Sequence, residues 1–220
     1  MAQQSRTIPY GGAVATAGLR VALTAGRPLR LNDAGWDFAE PSDAARLADR
    51  AAALDFLRDQ LKRLCDPWAA HQGGFLDAYF RFVAETVARD APALAARLAP
   101  FGDLYRVEDF WFSALRPLPR AHIPDADGWV SVDFGFWTGT GLVAIDIADG
   151  RRTARRRAAD HARLAAAGAR VIALAPAALA GDLAAHLPET LVRFCDGEAL
   201  PSSPFKAATL GDIVDLDDRP

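Results

Sequence analysis

Two aspartates, Asp133 and Asp146, stand inside apolar runs rich in β-branched and aromatic residues, WVSVDFGFW and GLVAIDI. A carboxylate in such a run costs free energy unless it is hydrogen-bonded, paired or bound to a metal. The link Thr138-Gly139-Thr140-Gly141 joins the two runs, so they read as adjacent strands of one hairpin. Alternation places Val130, Val132, Phe134 and Phe136 on one face of the first strand and Ser131, Asp133 and Gly135 on the other. On the second strand Leu142, Ala144 and Asp146 share a face. Side by side, the two carboxylates repel, and a divalent cation between them relieves the repulsion. Hard oxygen ligands select Mg²⁺ or Mn²⁺. The structural alternative is that one Asp caps a turn or pairs with a nearby Arg, and the residues alone leave both readings open.

Charge is the second signal. From Arg151 to Arg170 there are seven Arg against the single acid Asp160, although the net formal charge is −3. A concentrated basic patch binds a polyanion even on an acidic protein, because the local field outweighs the total. The plainer reading is a solvated helix face. Gly139-Thr140-Gly141-Leu142-Val143-Ala144 matches G-x-G-x-x-A, but a strand follows the glycines instead of a helix, so the segment reads as a turn and not a dinucleotide site. His71, His122, His161 and His186 lack metal-ligand spacing, and Ser113, Ser131 and Thr138 show no partners for a nucleophilic triad.

The elements that must position these residues follow from periodicity and breakers. A hairpin is expected early, GLRVAL and LRL around TAGRP. A helix capped by Ser42 or Asp43 runs to about Cys65, its buried stripe Leu47, Leu54, Leu57, Leu61 and Leu64. A second spans about Gly74 to Arg89, and Asp90-Ala91-Pro92 separates it from a short helix ending near Leu98. Residues 1–100 thus form a mainly helical region. A boundary at Pro100–Asp103 opens a second, α/β region over 101–220, ordered strand, strand, strand, helix, strand, helix. Its strand-like stretches are VEDFWFSAL, a Pro-rich RPLPRAHIP, WVSVDFGFW and GLVAIDI, the helix is 151–167 closed by Gly168, and ARVIALA is the next strand. A helix over Ala177 to His186, a strand LVRFC and an irregular acidic tail complete it.

In this order and spacing the chain resembles the PD-(D/E)XK nuclease superfamily, and within it the very-short-patch-repair-like branch. Matching motifs are Val132-Asp133-Phe134, Ala144-Ile145-Asp146-Ile147, Asp149-Gly150, Asp160-His161-Ala162-Arg163 and Gly168-Ala169-Arg170-Val171-Ile172, within residues 105–176. The resemblance implies a restriction-endonuclease-like mixed sheet flanked by helices and a Mg²⁺-dependent (or Mn²⁺-dependent) hydrolysis of phosphodiester bonds. It further implies Asp133 and Asp146 as metal ligands, joined by the backbone carbonyl of Ile147, with Glu85 or Glu108 as the helix acid that completes the catalytic set. Arg151, Arg152, Arg155, Arg156 and Arg157 would grip the nucleic-acid backbone. Three departures stand against activity. Ala148 replaces the family Lys, Asp149-Gly150 is displaced by one residue from the branch's D-G, and Arg-Arg-Thr follows where that branch has a His. Arg stays protonated and cannot replace a basic Lys. The competing expectation is therefore a nuclease fold without the reaction, a binding or assembly module. A third is an unrelated α/β protein that binds a small molecule.

Bulk properties fit all three. With 51% apolar and 24% charged residues, the chain has ample material for a globular core. Cys65 and Cys195 give no disulfide framework or metal spacing, and no signal segment or spanning apolar stretch is evident, so a cytoplasmic protein is expected. The N-terminal helices are available for a dimer or partner contact.

Overall fold

The computed structural model describes residues 13–16, 19–33, 49–150, 152–196 and 200–202. Within them lies a mixed α/β architecture, built on a six-stranded sheet of order β2-β1-β3-β4-β5-β6. The strands are β1 (Ala13–Thr16), β2 (Leu19–Ala22), β3 (Leu118–Asp125), β4 (Gly128–Trp137), β5 (Leu142–Ile147) and β6 (Arg170–Leu174). All neighbours pair antiparallel except β5 and β6, which are parallel and joined through helix α3 (Ala154–Ala166). Helices α1 (Arg50–Arg63) and α2 (Ala70–Leu98) precede β3, and a single turn, α4 (Glu189–Val192), follows β6. None of the described helices is long and apolar enough to cross a membrane.

Two apolar layers cover the sheet. On one face α1 and α2 pack Leu57, Phe75, Tyr79 and Val83 against Phe134, Phe136, Val143, Ile145 and Ile147. The Phe75 ring stacks on Phe134 at 4.5 Å, and Tyr79 meets Phe136 at 5.3 Å. On the other face Leu164 of α3 joins Leu118, Ala121, Ile123, Val130, Val132, Leu142 and Ala144. The boundary expected near residue 100 therefore does not separate two cores, and the N-terminal part also contributes β1 and β2 to the shared sheet.

Local details depart from expectation where tertiary contacts override propensity. The hairpin is β1–β2, and Leu29 and Leu31 instead donate to Trp137 and Ala114, laying residues 26–31 across the sheet's end. Asp49 caps α1 by accepting from the Ala51 N–H; the expected caps Ser42 and Asp43, and Leu47, lie outside the described residues. α2 runs straight through Pro92, which removes one i→i−4 hydrogen bond from a helix of 29 residues anchored along its buried face. VEDFWFS forms a 3₁₀ helix, as do Pro176–Ala180 and Leu183–His186 in place of one helix, while in LVRFC, expected as a strand, Leu191 and Val192 end α4 and a turn follows. The Thr/Gly link is the β4–β5 turn, α3 comes after β5, and Gly168 closes α3 with φ +86°.

Candidate functional site

β5 alternates regularly. Leu142 and Ala144 face α3, whereas Val143, Ile145 and Ile147 face α2, so Asp146 belongs to the α3 face. β4 does not. Val130 and Val132 face α3 but Phe134 and Phe136 face α2, so the alternation expected through Asp133 breaks at that residue. β3 breaks with it, since Leu118 and Ala121 share the α3 face although they are three apart. Pro119 pairs with Phe134 and Ala121 with Val132, which sets Arg120 opposite Asp133, and Arg120 adopts φ +51°. The β4–β5 ladder stops at Phe134–Ile145, one pair short of the two aspartates.

At that break the Asp133 carboxylate takes over the role of a strand carbonyl. Its Oδ2 accepts the Ile147 N–H at 2.7 Å, and its Oδ1 accepts the Gln72 amide at 2.9 Å and meets His71 Nε2 at 2.9 Å. Gln72 is oriented by the Asp66 N–H, which donates to its Oε1 at 2.8 Å. The other side of the His71 ring lies 3.8 Å from Asp149 Oδ2, so the imidazole bridges two carboxylates, one on β4 and one just past β5. Asp133 is thus held from the first turn of α2, and the part of Ile147 that meets it is the amide N–H.

Asp146 is fully buried and held from the opposite side. Arg157 Nε donates to its Oδ2 at 2.9 Å, His161 Nε2 lies 2.7 Å from the same oxygen, and Arg152 donates to its Oδ1. Burial pushes this carboxyl up, but the hydrogen bonds from His161 and Arg157 and the charge of Arg152 outweigh burial and hold it below the ordinary carboxylate value. Arg152 also reaches Asp160 at 3.8 Å, and Arg156 reaches it at 3.4 Å. The sequence thus supplies the carboxylate from a strand and two of its partners from one turn of helix, Arg157 and His161 standing four apart on one face.

These donor sets do not fit Mg²⁺ or Mn²⁺. A hard cation needs open carboxylate and carbonyl oxygens converging on one point. Here Asp133 Oδ1 meets His71 and Gln72 of α2 and its Oδ2 accepts the Ile147 N–H, while the oxygens of Asp146 face three positive or donor groups of α3 and its approach. Among the described residues no group of three or more His, Cys, Asp and Glu could hold a metal ion. Glu108 and Glu85 are both exposed, and no described contact joins either to Asp133 or Asp146. Of the arginines expected to grip phosphate, Arg152 and Arg157 are turned onto Asp146, Arg155 and Arg156 are exposed, and Arg151 lies outside the described residues.

Sequence reasoning passed over His71, Gln72 and Asp149. Only Asp149 carried a signal, its place in the Asp-Gly pair. His71 and Gln72 lie 62 and 61 residues upstream of Asp133, and nothing in their spacing ties them to β4. No family model, no curated protein and no solved structure matches the chain.

Proposed function

We propose that the chain is a nuclease-type α/β fold that binds nucleic acid without cutting it. The order β4–β5, α3, β6, with β5 and β6 parallel across α3, supports the fold part of this reading. The observation that carries the reading is the commitment of the two aspartates to opposite sides of the sheet, each with its oxygens already paired. If the displaced Asp149-Gly150 is taken as the anchor of the branch's motif, the acid two residues before it falls on Ile147, an apolar residue of the α2-side core. The position that faces Asp133's side of the sheet then has no carboxylate. Arg155 and Arg156, exposed at the start of α3, provide a backbone grip independent of sequence.

The experiment is a cleavage and binding assay on single- and double-stranded DNA and RNA with Mg²⁺ and Mn²⁺. Expected is no metal-stimulated cut, together with salt-dependent binding that weakens when Arg155 and Arg156 are both changed to Glu. A Mg²⁺-stimulated cut by the wild type that vanishes in Asp133→Ala would overturn the proposal.

A further inference from the structure

At the far end of the β4–β5 hairpin, away from both aspartates, Pro28, Arg30, the hairpin turn, Leu115 and the α4 region line an open cavity of about 290 Å³. We propose that this cavity is a binding site for a small organic oxyanion, a carboxylate or phosphomonoester with an apolar body. Its walls are pinned by main-chain bonds. The Gly26 N–H donates to the Gly139 carbonyl at 2.8 Å, the Leu29 N–H to Trp137 at 3.1 Å, and the Arg116 N–H to Leu29 at 2.8 Å. Gly139 has φ +89°, and a Cβ there would stand 3.0 Å from the Pro28 nitrogen, so the turn and the crossing segment touch backbone to backbone. That contact requires glycine at 139 without any dinucleotide, whereas a Cβ at Gly141 would meet nothing within 4 Å.

Among the described residues the lining contains two guanidinium groups, Arg30 and Arg193. Arg30 is steadied by donating Nη1 to the Ser113 carbonyl. Arg193 is 64% exposed and pairs with Glu189 at 3.0 Å and Asp196 at 3.6 Å. Such exposed pairs contribute little, so a ligand oxyanion exchanges with them at small cost. Thr140 and Thr190 add exposed hydroxyls, while Thr138 is engaged in the turn through the Gly141 carbonyl and amide. Pro28, Leu115 and Phe194 provide the apolar side. The volume sits at the lower edge of the range for small-molecule pockets, roughly 300–1,000 Å³, which suits a compact ligand and not a dinucleotide.

The test titrates the full chain with phenyl phosphate, benzoate and inorganic phosphate by calorimetry and ligand-observed NMR. Expected is saturable binding of phenyl phosphate or benzoate, tighter than inorganic phosphate and weakened about tenfold by Arg193→Gln or Thr140→Val. Preference for benzoate assigns the carboxylate class, and preference for phenyl phosphate the phosphomonoester class. No saturable binding by any probe, or binding unchanged in Arg193→Gln, Thr140→Val and Arg30→Gln, overturns the proposal. The cleavage assay shares no residue with this site, so the two can fail independently.

Discussion

Replacing Asp146 by Asn separates an ion-paired carboxylate from a vacant metal ligand, because the two predict opposite signs. Asn keeps the shape and one acceptor oxygen but removes the charge that Arg152, Arg157 and His161 surround. A hydrogen bond to a charged group contributes about 1.5–3 kcal/mol, and stripping the partner from a buried charge costs about 3–5 kcal/mol. The three partner side chains are 20–31% exposed and rehydrate in part. The three bonds are also not additive, so a net loss of about 2–4 kcal/mol is expected at neutral pH. For a domain of this size that lowers Tm by roughly 5–15 °C. Urea unfolding of wild type and Asp146→Asn in EDTA reads it. Because the folded carboxyl lies below its ordinary value, its contribution is complete above about pH 4 and fades as pH falls through the folded value, so the gap between the two proteins should close under acid. An Asn variant as stable as wild type in EDTA, or more stable, would refute the reasoning, since that is what relief of repulsion between empty ligands gives.

Two further outcomes test the core. Tyr79 is fully buried and donates its hydroxyl to the Leu115 carbonyl at 2.7 Å, so Tyr79→Phe should cost about 1–2 kcal/mol in chemical denaturation by orphaning that carbonyl. Burial pushes the thiols of Cys65 and Cys195 up to about 12, so neither should react with iodoacetamide at pH 8 until the chain unfolds, as mass spectrometry would record.

Much of the architecture was legible because it follows local rules. The β4–β5 turn, α3 with its Gly168 stop, and β6 all come from periodicity and glycine placement. Both aspartates were recognisable as buried charges in need of partners. Their true partners were harder to see. Period-two alternation does not by itself register a coordinated break at Arg120 and Asp133; its one mark at the break in β3 is Pro119, directly before Arg120, a residue type that strands tolerate at edges and bulges. Asp146 pairs with nearby Arg, the structural alternative, whereas the basic run by itself reads as a solvated helix face and, through the resemblance, as a phosphate grip, neither of which turns Arg152 and Arg157 inward. Pro92 misled for the opposite reason: its local rule is sound, but the buried face on either side holds the helix together. Residues 176–195 are apolar and alanine-rich, a composition that suits helix, strand and 3₁₀ turn alike, so packing against α2 decided among them.

The central claim is that Asp133 and Asp146 serve the protein's own side chains and not a shared divalent cation. Electron paramagnetic resonance of Mn²⁺ titrated into the chain tests it most directly, since the free-ion signal is lost on binding. The account predicts no stoichiometric site below millimolar concentration, and the same trace from wild type, Asp133→Ala and Asp146→Asn. One tight site per chain, abolished in both variants, would contradict it.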